Sequence, residues 1–229
     1  MRLLSAAISI ALMSGPAMAS DHSHEALAAF NWTGFVAGVN AGYGWGDADY
    51  RFITNGYYNA HAGDSYSHGI DGAFLGGHVR YNYQIDNVVL GMEGALFLAD
   101  IGKTVPSPHM ETDSFETSVD WFSTLTPRIG YAVDRAHIFA KGGLALGKVK
   151  NTMRDNYTGG FETGSSTRTG WTAGGGVEYA VTNNVLLGLE YNYTDLGALA
   201  VNTGMTDFDT NHRVDTAFSA VSLTLGYKF

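Results

Sequence analysis

The chain has no cysteine, only four prolines in 229 residues, and no apolar run of transmembrane-helix length after its first nineteen positions. Without cysteine an oxidising compartment is allowed, but no disulfide scaffold is available to stabilise the fold. A mean hydropathy of −0.05 and the missing apolar run exclude a helical membrane protein. They do not exclude a β-barrel, whose strands hide their apolar residues by alternation. Basic residues are scarce as well, 13 Lys and Arg against 22 Asp and Glu with no basic cluster, so there is no electrostatic footprint for nucleic acid. The chain is rich instead in glycine (30) and tyrosine (13), which suit a tightly curved sheet with aromatic residues at an interface and make poor helices.

The most ordered pattern lies at the end. In Val221-Ser222-Leu223-Thr224-Leu225-Gly226-Tyr227-Lys228-Phe229 the apolar and aromatic residues occupy every second position. Strict period-two alternation marks a strand with one apolar face. An outer-membrane barrel gives a reason for the aromatic ending, since its last strand closes the wall with alternate residues facing lipid. The opposite end agrees. Arg2, the apolar stretch Leu3 to Met13, the Gly15-Pro16 break and Ala17-Met18-Ala19 predict a secretory signal over residues 1–19. Its removal leaves 12 basic and 22 acidic residues, a net charge of −10, and a chain starting at Ser20.

Eight alternating segments follow a polar leader (20–31), within one barrel domain, 32–229. They are predicted at Trp32 to Gly46, Ile70 to Tyr83, Val88 to Leu98, Ser118 to Tyr131, His137 to Lys148, Arg168 to Val181, Val185 to Asp195, and from Asp215 to the end. Short turns follow the second, fourth and sixth segments, and long polar stretches (47–69, 99–117, 149–167, 196–214) follow the odd ones. That alternation is the arrangement of short periplasmic turns and long external loops. The fold class is therefore all-β: an eight-stranded antiparallel transmembrane barrel, closed by pairing Trp32 to Trp45 with the terminal strand. A soluble β-sandwich adhesin is the alternative architecture.

The opening segment Phe30-Asn31-Trp32-Thr33-Gly34-Phe35-Val36-Ala37-Gly38-Val39-Asn40-Ala41-Gly42-Tyr43-Gly44-Trp45 resembles the first strand of the small RopB-like outer-membrane barrels of alphaproteobacteria, a family that includes haemin-binding members. The resemblance runs along most of the mature chain and weakens in the long loops. It implies an outer-membrane location, and for Phe229 the terminal aromatic that barrel-assembly machinery recognises, with Val221, Leu223, Leu225 and Tyr227 completing that signal.

With the apolar face turned to lipid, the inward face carries His78, Arg80, Glu93, Arg128, Lys141, Glu178, Glu190 and Lys228. Glu93, Glu178 and Glu190 recur beside glycine in one local frame, which makes room for a long cationic partner. Rings of such charges can set ion selectivity in a pore. An eight-stranded barrel, however, is only about wide enough for side chains to fill it. With His78 neutral, four bases and three acids nearly cancel, and unpaired they would be strongly destabilising, so size favours an ion-pair plug over a pore.

Three other chemistries are readable. After cleavage at Ala19, the free amine, two amides and imidazole of Ser20-Asp21-His22 form a square-planar nitrogen set suited to Cu(II) or Ni(II). His24 and Glu25 lie nearby; the plainer reading is a polar leader in which His22 is incidental. The loops hold His61, His68, His109 and His212 with Tyr50, Tyr57, Tyr58, Tyr66 and Phe208. His and Tyr can both ligate haem iron, though here with no fixed spacing and among acids that repel propionates. Asp207, Asp209 and His212 can be read as acid/base residues, but no nucleophile is set by spacing, so a solvated acidic loop accounts for them and no enzyme is expected. Gly42 to Gly46 and Gly174 to Gly176 open no helical pattern, so they are strand glycines and not phosphate loops. The reading that results is a structural, membrane-integrity and surface-interaction barrel needing no cofactor, with haem or transition-metal capture as the alternative. Its partners are outer-membrane lipid, lipopolysaccharide, the assembly machinery, and a haem or host surface ligand.

Overall fold

A computed structural model describes residues 30–53, 61–106, 113–155, 161–203 and 210–229. The signal segment and the Ser20-Asp21-His22 site lie outside these, as do Tyr57, Tyr58, His109, Asp207, Phe208 and Asp209 and the side chain of His212. Eight strands form one closed antiparallel barrel: β1 (Gly34–Phe52), β2 (Ser65–Ile85), β3 (Val88–Pro106), β4 (Asp113–Val133), β5 (Ala136–Asp155), β6 (Phe161–Ala180), β7 (Val185–Thr203) and β8 (Thr210–Lys228). Closure pairs β1 with β8 from Val36↔Lys228 to Phe52↔His212, which excludes the two-sheet sandwich. In hydrocarbon an open edge would leave backbone groups without partners, so closure is what lets this sheet cross a membrane.

The outward face is apolar, from Phe35, Val39 and Leu75 to Leu98 and Leu223, with Leu98 71 % exposed. Aromatic residues bound this band at both ends. Tyr43, Trp45, Trp171, Tyr191 and Tyr193 form the upper girdle, where Trp45 lies 6.4 Å from Tyr191 and Trp171 lies 5.5 Å from Tyr193 between ring centroids. Tyr81, Tyr83, Tyr131, Tyr179 and Tyr227 form the lower one. Such girdles sit at the two membrane interfaces. The lower connections are short. Asp86 and Asp134 each take a φ of 51°, the left-handed conformation that Asp and Asn tolerate best in tight turns. At the third turn Thr182 Oγ1 accepts hydrogen bonds from the Asn184 and Val185 amides at 3.2 and 3.0 Å.

Two sequence expectations need correction. The strands are 19 to 21 residues long and run well into stretches read as loops. The reason is chemical: above the upper girdle the outer surface meets water, so the alternation inverts. On β1, Ala48 and Tyr50 point inward and are buried, while Asp47, Asp49 and Arg51 are exposed. A search for apolar-outward alternation stops where the solvent changes. The second correction concerns the start. β1 begins at Gly34, and Trp32 and the leader residue Phe30 fold into the lumen, where both are buried. The Trp32 amide donates to Gln84 Oε1 at 2.7 Å and the Gln84 amide donates to Thr33 Oγ1 at 3.0 Å, which fixes that inward turn.

The lumen leaves little room beside its glycines. A Cβ on Gly42 would lie 2.4 Å from Cζ of Phe74 and 2.4 Å from the Val221 carbonyl oxygen. Gly42→Val is expected to destabilise the folded barrel by about 1–3 kcal/mol, the usual cost of overpacking. Urea titration in lipid vesicles, monitored by the heat-modifiable electrophoretic shift, measures it; an unchanged midpoint would mean that the Phe74 ring and the β8 backbone at Val221 both give way freely.

Candidate functional site: a charge-balanced lumen and a divided collar

The interior is layered. At the periplasmic end Phe30, Trp32, Val36, Val89, Ala132, Ala180 and Leu186 form an apolar cluster. Phe30 packs edge-on to Trp32 at 4.9 Å, and Trp32 lies 4.8 Å from the His137 ring. The next layer is ionic. Arg80 Nη1 lies 2.6 Å from Glu178 Oε1 and 3.5 Å from Glu93 Oε2. Arg128 spans the same two carboxylates, Nη1 to Glu93 Oε2 at 3.0 Å and Nη2 to Glu178 Oε2 at 3.1 Å. Lys141 Nζ joins Glu93 Oε1 at 2.7 Å to Glu190 Oε2 at 2.6 Å. The six side chains come from β2, β3, β4, β5, β6 and β7, so the network ties most of the circumference together. Above it Phe74, Phe97, Phe122 and Phe218 interlock, with neighbouring centroids 4.5 to 5.5 Å apart. Between these two layers lies a cavity of about 20 Å³ bordered by Lys141, Asn192 and the phenylalanines, room for about one water.

Of the seven residues expected to form the ion-pair network, six are brought together and Lys228 is not. Its ammonium instead sits 5.3 Å over the Phe30 ring at the periplasmic mouth, because its place at the end of β8 puts it a layer below the carboxylates. The correction improves the balance, since Arg80, Arg128 and Lys141 then face Glu93, Glu178 and Glu190, three charges against three. Two inward residues escaped the sequence reading although alternation assigns them. His137 is two positions before Phe139 and four before Lys141, and its Nδ1 lies 3.2 Å from Glu178 Oε2. Arg168 shares the parity of Glu178. His78, which was expected inward, is buried with Nδ1 2.6 Å from Asn40 Oδ1. Arg128 also stacks on Phe139, its Cζ 3.8 Å from the ring centroid.

Above the upper girdle the wall divides. Pairing of β2 with β3 ends at Asp71↔Gly102, and pairing of β6 with β7 ends at Trp171↔Asp195. All other neighbours stay paired beyond those points. The collar outside the membrane is thus two curved half-sheets, β7–β8–β1–β2 and β3–β4–β5–β6. Two inward side chains join them. The Tyr50 hydroxyl contacts Thr117 Oγ1 and donates to Asn151 Oδ1 at 3.2 Å. From the other half, Arg168 Nη1 donates to the carbonyls of Val214 at 2.9 Å and Gly197 at 3.3 Å. His68 lies inside this collar, stacked 5.5 Å from Tyr50 and tilted 6.0 Å from Tyr66, with neither ring nitrogen hydrogen-bonded among the described residues. His61 is exposed beside Asp64, its Nδ1 3.9 Å from Asp64 Oδ2, so the loop histidines within the described residues do not converge on one centre. Among the described residues no group of three His, Asp or Glu could hold a metal.

The model of the outer membrane protein beta-barrel domain matches residues 5–229. The chain belongs to this family. It is similar to the 31 kDa outer-membrane immunogenic protein of Brucella melitensis biotype 1, at 35 % identity across 87 % of this chain and 85 % of the relative. It is similar also to a 22 kDa outer membrane protein of Rhizobium leguminosarum bv. viciae, at 28 % identity across 87 % of this chain and 79 % of that one. In fold it resembles the crystal structure of OprG from Pseudomonas aeruginosa, with a TM-score of 0.57 at 14 % identity, covering 87 % of this chain and 98 % of the other. The protein is a small outer-membrane β-barrel of the alphaproteobacterial kind, located in the cell outer membrane.

Two outcomes are expected from this geometry. Glu178→Gln removes the carboxylate that Arg80 and Arg128 share and leaves buried positive charge uncompensated, so it should cost about 3–5 kcal/mol of unfolding free energy in vesicles. A loss below about 1 kcal/mol would show that water reaches the layer and screens it. In the collar, burial lowers the pKa of His68 from 6.5, with Lys103 adding to the effect and Asp47 and Asp49 opposing it. As pH falls below that ordinary value the unfolded chain takes up a proton that the folded collar resists, so this stability is complete above it and lost below. The advantage of His68→Phe over the wild type should therefore grow between about pH 7.5 and pH 5.5; urea midpoints measured across that range check it, and a constant difference contradicts it.

Proposed function

We propose that the protein is a sealed barrel serving a structural, membrane-integrity role in the cell envelope, and that it meets other molecules through its collar and four external loops. One observation carries the sealed reading: the lumen charges balance three against three in a layer whose side chains are at most 6 % exposed, between an aromatic plug below and four interlocked phenylalanines above. A conducting path needs a hydrated file, and lumen charges that hold one another at 2.6 to 3.1 Å leave no free ring for a passing ion. Within the family we place the chain with the RopB-like barrels, on the resemblance of Phe30 to Trp45. Lipopolysaccharide is the surrounding partner by location, and barrel-assembly machinery is the partner of Val221, Leu223, Leu225, Tyr227 and Phe229. The Brucella relative is an outer-membrane immunogenic protein, in keeping with exposed loops. Among the described residues nothing in the geometry favours a haem or metal site over this reading.

Planar-bilayer recording is the test. The purified protein should show no stable unitary conductance, whereas Glu93→Ala combined with Arg128→Ala, which empties part of the charged layer, should raise the leak. Reproducible ion-passing steps from the wild type would overturn the sealed reading.

A further inference from the structure

On the outer face of the half-sheet β8–β1–β2 the cross-strand register does something unfavourable. Arg51 stands directly opposite Arg213, and Asp49 stands directly opposite Asp215. Like charges facing each other across a strand pair destabilise a sheet, and here two such pairs are stacked in adjacent outward rows. Exchanging one Arg with one Asp would have given two opposite-charge pairs on the same backbone. The strain is only partly relieved within the chain: Arg213 Nε lies 3.6 Å from Asp215 Oδ2, while Arg51 and Asp49 have no ion pair among the described residues. The same rows line a concavity of about 530 Å³, completed by Ser65 opposite Arg51 and Ser67 opposite Asp49. Positions where a fold departs from local electrostatic logic are where a ligand is expected to complete it.

The position of this hollow says what fills it. Its charged and serine side chains alternate with the inward Tyr50 and Tyr66 and so point away from the lumen, on the outer wall above the upper girdle. Asp49 and Arg51 are four and six residues beyond Trp45 of the upper girdle, roughly 10–15 Å above it at about 3.3 Å per residue and a strand tilt near 40°. That is the depth of the sugars and anionic groups of the outer leaflet, not of its acyl chains. Two guanidiniums side by side suit a phosphate or carboxylate, which they can bind through several charge-assisted hydrogen bonds. A row of two carboxylates and a serine hydroxyl beneath them suits sugar hydroxyls, which donate to carboxylate oxygens.

We propose that this hollow is a binding site for the anionic saccharide region of lipopolysaccharide. Arg51 and Arg213 hold its phosphate or carboxylate, and Asp49, Asp215, Ser65 and Ser67 hold the adjoining sugar. The site deepens the surface-interaction reading above by giving it a ligand and an address. It does not depend on the sealed lumen, because a conducting barrel would overturn that reading and leave this one untouched.

The full-length barrel, purified in detergent without lipopolysaccharide, would be titrated with lipopolysaccharide carrying its phosphates, with the same material enzymatically dephosphorylated, and with inorganic phosphate alone. Phosphorylated lipopolysaccharide should bind at least tenfold more tightly to the wild type than to an Arg51→Ser/Arg213→Ser double variant. The variant Arg154→Ser, an exposed arginine of the opposite half-sheet, should bind as the wild type does. A second readout guards against misfolding. Since Arg51 faces Arg213 and has no ion pair among the described residues, the single variant Arg51→Ser, which keeps the Arg213–Asp215 pair, should melt at or above the wild-type temperature without lipopolysaccharide and below it with lipopolysaccharide present. That reversal requires a folded variant and a ligand at the arginines. Equal affinity of wild type and double variant, or inorganic phosphate competing at the same concentration as lipopolysaccharide, would overturn the proposal.

Discussion

Backbone hydrogen bonding inside hydrocarbon is the constraint from which the rest of this structure follows. No water is available there, so every amide and carbonyl must find a partner in the sheet, and the sheet must close. Eight strands close around a space that side chains can only just fill. Within it, a charge cannot be left alone, and β2 to β7 each contribute one member of a set that sums to zero. Register and charge are therefore coupled: a slip by one residue would turn Glu93 or Arg128 outward into lipid and leave its partner unpaired inside. The ionic layer acts as a lock on the alignment that closure demands, with net stabilisation a secondary matter, since a buried pair mostly repays its own desolvation.

Much of this was legible because period-two alternation has a fixed meaning once one face is known to meet lipid. Strand number, the three short turns and the inward parity of Arg80, Glu93, Arg128, Lys141, Glu178 and Glu190 all follow from it. What alternation leaves open is height along the barrel axis. Lys228 has the right parity and the wrong level, and it meets Phe30 instead of a carboxylate. Phe30 and Trp32 are the converse case, since a chain that turns back into its own barrel carries no periodic signal. Above the girdle the pattern reverses, with Ala48, Tyr50, Val214 and Phe218 inward and Asp47, Asp49, Arg213 and Asp215 outward, as in an ordinary water-soluble sheet. The segments resemble loops only to a search tuned to lipid.

The collar also shows how the demands on the wall relax once it leaves the bilayer. In water an unpaired strand edge is tolerable, and the sheet parts at β2/β3 and β6/β7. Hydrogen bonds from Tyr50 and Arg168 take over the role that continuous pairing has below. Polar side chains are adequate fasteners there because their alternative is solvation, and the geometry they impose is looser than a ladder of backbone bonds.

The division at those two seams has a consequence for how such a surface can change. Each half of the collar carries two of the four hairpin tips, and no backbone bond between neighbouring strands spans the gap. An insertion or substitution in one half need not be matched by a shift in the other, nor transmitted to the membrane wall beneath. The exposed part is modular in pairs, while the buried part is bound together all the way round. A lineage pressed to alter its outward appearance could rework one half at a time, keeping the barrel that carries it unaltered.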